Sequence, residues 1–216
     1  MLATFPGASV SRVEHGWQDR WREFHQPLRV GRLWVGPPWA SSPSDAVPVV
    51  IDPGRAFGTG AHPTTRLVLE LLLELPPASV LDLGCGSGVL AIAAALLGHA
   101  PVVAIDVDEA AVGATRANAA ANGVEVDVRL LDGLIAHLPA ADTALANIAL
   151  EVVERIGARF AGRSVVTSGY LSVDEPELDG FLRIERRELD GWAADLHVRR
   201  RRPVGSRSAV RRHLRQ

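Results

Sequence analysis

The stretch SVLDLGCGSGVLAIAA, residues 79–94, restricts the fold more than any other part of the chain. A short apolar run enters a loop with glycines at 84, 86 and 88 and leaves as a run of Ala, Leu and Ile. Without side chains at those three positions the backbone can turn sharply and approach a ligand closely. A strand that turns directly into a helix is the start of a crossover, and repeated crossovers build a parallel sheet.

The downstream sequence repeats the unit. Residues 87–97 predict a helix, PVVAIDV a second strand, and DEAAVGATRANAAANG a second helix with Asp108 as N-cap and Asn122-Gly123 as its stop. VEVDVRLL alternates apolar and polar residues and predicts a strand. DTALANI, EVVERIGARF and RSVVTSG predict strand, helix and strand, and DEPELDGFL a short helix. RIERREL and WAADLHVRR predict two strands joined by the hairpin signal Asp190-Gly191. The fold class is therefore α/β: a mostly parallel sheet, helices on both faces, and an antiparallel strand added by the closing hairpin. Upstream, PTTRLVLELLLEL has helical apolar spacing at Leu67, Val68, Leu71, Leu72 and Leu75, with Pro63 suited to the first turn. Residues 17–48, rich in tryptophan, proline and glycine, read as an arm packed on the domain, with Trp17, Trp21 and Phe24 on one helical face. The organisation expected is an arm over 1–48, a catalytic domain over 49–198 and a basic, disordered tail over 199–216.

Composition excludes several classes. With 47% hydrophobic and 22% charged residues the chain is globular rather than disordered. Cys85 is the only cysteine, so there is no internal disulfide, which fits a reducing, cytoplasmic setting. The N-terminus lacks the pattern of a secretory signal. The apolar stretch from Val89 to Val107 is interrupted by Gly98, His99, Pro101 and Asp106, which argues against a membrane span. The net charge of −2 conceals an asymmetry, because residues 199–216 carry eight arginines and no acid.

The candidate site gathers around the glycine loop. The dinucleotide pattern G-x-G-x-x-G would need glycine at 89, which is Val89. The spacing G-x-G-x-G resembles instead the S-adenosylmethionine-dependent methyltransferases, in which Gly84 and Gly86 would cradle the amino-acid and ribose portion of the cofactor. Asp106 ends the second strand, 22 residues after Gly84, where a carboxylate can accept hydrogen bonds from both ribose hydroxyls. Asp82 has two readings, a partner for the cofactor's ammonium group or an anchor for loop amides. Asp132, in LLDGL, stands where this fold class often contacts the adenine amino group, or simply forms a turn. Asn147 ends the fourth strand, in the crevice beyond the carboxyl ends of the sheet, where its amide oxygen can accept an N–H from a substrate amine. No metal ligand set is expected, and Cys85 has no nearby base in the sequence to activate it.

DPGRAFGTGAHPTTR, DLGCGSGVLAIAA, IDVDEAAV and ANI occur in the order found in the ribosomal protein L-eleven methyltransferase family, and WQDRWREFHQPLRVGRLWVGPPW also resembles that family's approach to its catalytic domain. The resemblance spans roughly residues 17–200 and weakens after Asn147. It implies a Rossmann-like fold with a seven-stranded sheet, S-adenosylmethionine as cofactor, and a segment from Phe57 to Thr65 that folds over it. The family's cofactor positions carry over to Thr65, Gly84, Asp106 and Asn147. His62 reads as structural beside Pro63. The resemblance implies N-methylation of a protein amine, lysine or N-terminal, with a ribosomal protein as one candidate target. Only 16 residues precede Trp17, too few for the family's recognition domain, so a different protein target or a small-molecule acceptor stays open. A third alternative is an inactive relative that binds RNA through its arginine tail.

Overall fold

The computed structural model of the chain describes residues 26–53 and 62–200. Phe57, the residues Trp17, Trp21 and Phe24, and the arginine-rich positions from 201 onward lie outside the described residues.

Among the described residues three short strands come first, β1 (Leu28–Val30), β2 (Leu33–Gly36) and β3 (Val47–Val50). β2 pairs antiparallel with β1 and parallel with β3 in a small sheet of its own. Helix α1 (Pro63–Leu72) follows, its first position taken by Pro63 and its N-cap by His62. Leu67, Val68, Leu71 and Leu72 are fully enclosed, and burying each such side chain stabilises the fold by about 2 kcal/mol.

The alternation read from the sequence then unfolds as β4 (Val80–Leu83), α2 (Val89–Leu96), β5 (Val102–Asp106), α3 (Glu109–Ala121), β6 (Asp127–Leu130), β7 (Thr143–Asn147), α4 (Leu150–Gly157), β8 (Ser164–Leu171), β9 (Phe181–Leu189) and β10 (Trp192–Arg199). These seven strands form one sheet in the order β6-β5-β4-β7-β8-β10-β9. Five run parallel, and β10 runs antiparallel to β8 and β9. The hairpin between β9 and β10 turns at Asp190 (φ 51°) and Gly191 (φ 80°). Two positive φ angles in succession define the turn whose twist matches that of a two-stranded ribbon.

Side-chain alternation splits the core in two. Val80, Val102, Ala104, Leu145, Val166, Ala194 and Leu196 face one layer, which α1, α2 and α3 cover. Leu81, Leu83, Val103, Ile105, Ala144, Ala146, Val165 and Ala193 face the other, which α4 covers with Phe160, Leu178 and Phe181.

Two sequence expectations need correction. The first βα helix starts at Val89 rather than Ser87, because Gly88 stands at its N-cap in the left-handed region (φ 85°). Residues 174–180 form no helix. Pro176 removes a backbone donor there, and Arg186 takes the carbonyls of Ser172 and Asp174 at 3.4 and 2.6 Å. The same guanidinium pairs with Asp195, a fully buried carboxylate that also accepts from Tyr170 Oη at 2.9 Å. A buried charge is tolerated only when paired in this way. Among the described residues no helix is long and apolar enough to cross a membrane.

Candidate active site

After β4 the chain crosses to β5 on one side, and β7 then joins β4 on the other. Such a reversal opens a crevice at the carboxyl ends of the strands. A cavity of about 690 Å³ lies there, lined among others by Gly84, Gly86, Asp106, Asp132, Asn147 and Trp192. Its size lies within the usual range for cofactor and substrate sites.

The glycine loop forms one end. Gly84, Gly86 and Gly88 have φ of 71°, 54° and 85°, a region that a side chain makes costly. A Cβ at Gly84 would also meet Ile148 Cγ2 at 2.5 Å. Asp106 fixes the loop from beside it: Oδ2 accepts from Gly86 N and Oδ1 from Asp108 N, both at 3.0 Å. A carboxylate oxygen has more than one lone pair, so both oxygens retain capacity toward a ligand hydroxyl.

Asp82 does not line this cavity. It lies beneath α2, buried, with Oδ2 accepting from Ala91 N at 3.1 Å. Burial pushes its carboxyl up to about 7, partly offset by the Ala91 amide, with the nearby Asp106 charge adding to the rise. Asp132 lines the cavity, and its carboxylate closes a turn by accepting from Leu134 N at 2.8 Å. Burial raises the Cys85 thiol to about 12, so it is no thiolate nucleophile.

The other end is assembled from distant elements. Asn147 Nδ2 donates to the buried Thr65 Oγ1 at 3.3 Å, across 82 positions of sequence. That bond joins the end of β7 to the first turn of α1. His62 Nδ1 caps α1 by accepting from Thr64 N at 3.4 Å, and it lies 2.8 Å from Thr64 Oγ1. Its ring stands edge-on to Trp192, with centroids 4.7 Å apart, an arrangement aromatic quadrupoles favour. Ile148 separates the two ends. It approaches Gly84 through its side chain, and a Cβ at Gly169 (φ 101°) would come within 2.2 Å of its carbonyl oxygen.

Phe57 lies outside the described residues, so the cavity is built here from Thr65, Gly84, Gly86, Asp106, Asp132 and Asn147 among the expected positions. Sequence reasoning missed Trp192, Ile148 and Gly169. The one available signal for Trp192 was its place directly after the Asp190-Gly191 turn. An antiparallel strand starting there begins at the edge where the parallel strands end.

A sheet of this order, with a G-x-G-x-G loop after its first strand and an acid at the end of its second, is the fold of the S-adenosylmethionine-dependent methyltransferases. A solved RNA methyltransferase from Salinibacter ruber, in complex with S-adenosyl-L-homocysteine, shares it: TM-score 0.51, 22% identity, covering 64% of this chain and 94% of that one. Closer likeness narrows the class. The profile of the family described as ribosomal protein L11 methyltransferase (PrmA) matches residues 5–179. The ribosomal protein L11 methyltransferase of Symbiobacterium thermophilum is 43% identical over 202 residues, 86% of this chain and 66% of its own. That of Pseudomonas putida (strain GB-1) is 50% identical over 141 residues, covering 62% and 48%. The crystal structure of ribosomal protein L11 methylase from Lactobacillus delbrueckii subsp. bulgaricus superposes with a TM-score of 0.72 at 27% identity, covering 82% of this chain and all of that one. The chain belongs to the ribosomal protein L11 methyltransferase family. It spans between about half and two thirds of the length of these curated relatives.

Proposed function

We propose that the chain is an S-adenosylmethionine-dependent N-methyltransferase acting on a protein amine, with a ribosomal protein as its target in the cytoplasm. The observation that carries this reading is the single cavity that joins the glycine loop and Asp106 to Asn147, Thr65 and Trp192. The residues fit the cofactor: positive-φ glycines leave room for backbone approach, and Asp106 offers a carboxylate at the rim. Bound there, the cofactor supplies a methyl group already activated by its sulfonium.

The protein's task is then alignment and desolvation. With its nitrogen donating to Thr65, Asn147 can accept an amine N–H through its amide oxygen. That contact points the amine lone pair away from the side chain and fixes its distance from the reacting carbon at about 3 Å. A lysine amine ordinarily titrates near 10.4 and is mostly charged at neutral pH. The walls formed by Ile148, Val152, Ile156 and Trp192 exclude water and disfavour the charged form. The alignment therefore needs no dedicated base. Trp192 lines the same space, and an aromatic ring there suits an amine that gains methyl groups and stays cationic after release.

The purified chain is expected to transfer label from the cofactor to a protein of the large ribosomal subunit. A labelled metabolite extract with unlabelled ribosomal protein would instead make the acceptor a small molecule. One further reading has specific support in the arginine tail, whose residues 201–216 carry six arginines: they hold RNA while the cavity acts on a protein bound to it. Salt-dependent RNA binding that disappears on deleting 201–216 is the expected result.

A further inference from the structure

Helix α3 turns a polar ridge toward the glycine loop. Thr115, Asn118 and Asn122 stand at i, i+3 and i+7, on one face of the helix. Thr115 Oγ1 donates to Gly86 O at 3.0 Å. Asn118 is buried and bonded in two directions: Nδ2 donates to Ser87 O at 2.9 Å, and Oδ1 accepts from Asp52 N at 3.0 Å. Asn122 reaches the strand side, accepting from Val50 N at 2.8 Å and donating to Val50 O at 2.6 Å, and its Nδ2 also donates to Asn118 O at 2.8 Å, without touching the glycine loop.

A loop with three glycines is costly to order, because each has many conformations to lose. Its shape must be imposed from outside. Asp106 holds Gly86 N, Thr115 holds Gly86 O, and Asn118 holds Ser87 O. We infer that Asn118 is a positioning residue for the cofactor, setting the glycine loop at Ser87 and registering it against the chain at Asp52. Only a carboxamide of this length supplies a donor for one segment and an acceptor for the other. A loop already fixed in its binding shape loses less entropy when the ligand arrives, and its affinity rises accordingly. The inference rests on the methyltransferase reading above.

The test measures S-adenosylhomocysteine affinity by calorimetry, and methyl transfer at saturating cofactor, for the full chain and three variants. Asn118→Asp keeps the acceptor for Asp52 and loses the donor for Ser87; Asn118→Ala loses both; Asn122→Ala releases Val50 and the Asn118 carbonyl and removes no bond to the glycine loop. The expected result is about tenfold weaker binding for both Asn118 variants, the effect of one lost buried hydrogen bond. Their turnover at saturation stays within about twofold, and Asn122→Ala binds as the unsubstituted chain does. Unchanged affinity in Asn118→Asp, or an equal loss in Asn122→Ala, overturns the inference and leaves the methyltransferase reading standing. No binding by the unsubstituted chain overturns both.

Discussion

The glycine-loop end of the cavity comes from one local run, residues 84–88, plus Asp106 at the next strand's end. The Asn147 end comes from α1, β7, the end of β8 and the start of β10, with His62 and Trp192 separated by most of the domain. At the first end the wall is largely backbone, so the sequence needs only small residues at the right spacing. At the second, side chains converge across long separations, so each depends on the packing of the others. Under the proposed function, the first end takes the cofactor and the second selects the acceptor.

Substitutions at the two ends should separate cleanly. The largest effect belongs to Asn147→Ala: turnover falls about a hundredfold, as expected for a misaligned reacting pair, while S-adenosylhomocysteine affinity changes little. Equal loss of both would erase the division between the ends. Gly169→Ala comes next. A Cβ there meets the Ile148 carbonyl oxygen at 2.2 Å in a backbone region hostile to side chains, so chemical denaturation should report a loss of about 2 kcal/mol. Acceptor KM should rise more than cofactor KM. Asp106→Ala acts on the other end, weakening cofactor binding about tenfold by calorimetry and leaving turnover at saturation nearly intact.

The smallest effect is a pH dependence. His197 is buried with no hydrogen-bond partner at either ring nitrogen among the described residues. Burial lowers its pKa from 6.5, against a partial rise from Asp195. The unfolded chain therefore binds a proton more readily, and stability falls as pH drops below 6.5. Asp82 acts in the opposite sense. Its folded pKa of about 7 lies above the ordinary 3.8, so the folded chain holds the extra proton between those values: the contribution is fully present below 3.8, is lost as pH rises toward 7, and is gone above it. In thermal melts from about pH 5 to 8, His197→Leu should remove the loss of stability below 6.5, and Asp82→Asn should remove the decline in stability as pH rises from about 5 to 7. Identical profiles would remove both groups from the account.

How far the sequence could be read follows from the same division. Loop glycines, the Asp108 cap, the Asp190-Gly191 turn and the Asp106 position each depend on a few neighbouring residues, and all were legible. DEPELDGFL was misread, because helical propensity there loses to Arg186, which reaches over from β9 and takes the segment's carbonyls. Trp192 was read only as a strand residue: the Asp190-Gly191 turn makes β10 antiparallel to β9, but nothing local says that the strand's first residue borders the crevice.

By itself, then, the sequence determined the α/β alternation, the glycine loop and its acidic partner, because short-range sterics and hydrogen bonding act within a few residues. Only the tertiary structure decided that Asn147 meets Thr65, that Trp192 and His62 wall one space, and that Asp82 lies beneath α2 rather than in the cavity. Those pairings are made by strand order and helix packing, and such contacts form between segments whose own sequences carry no record of each other.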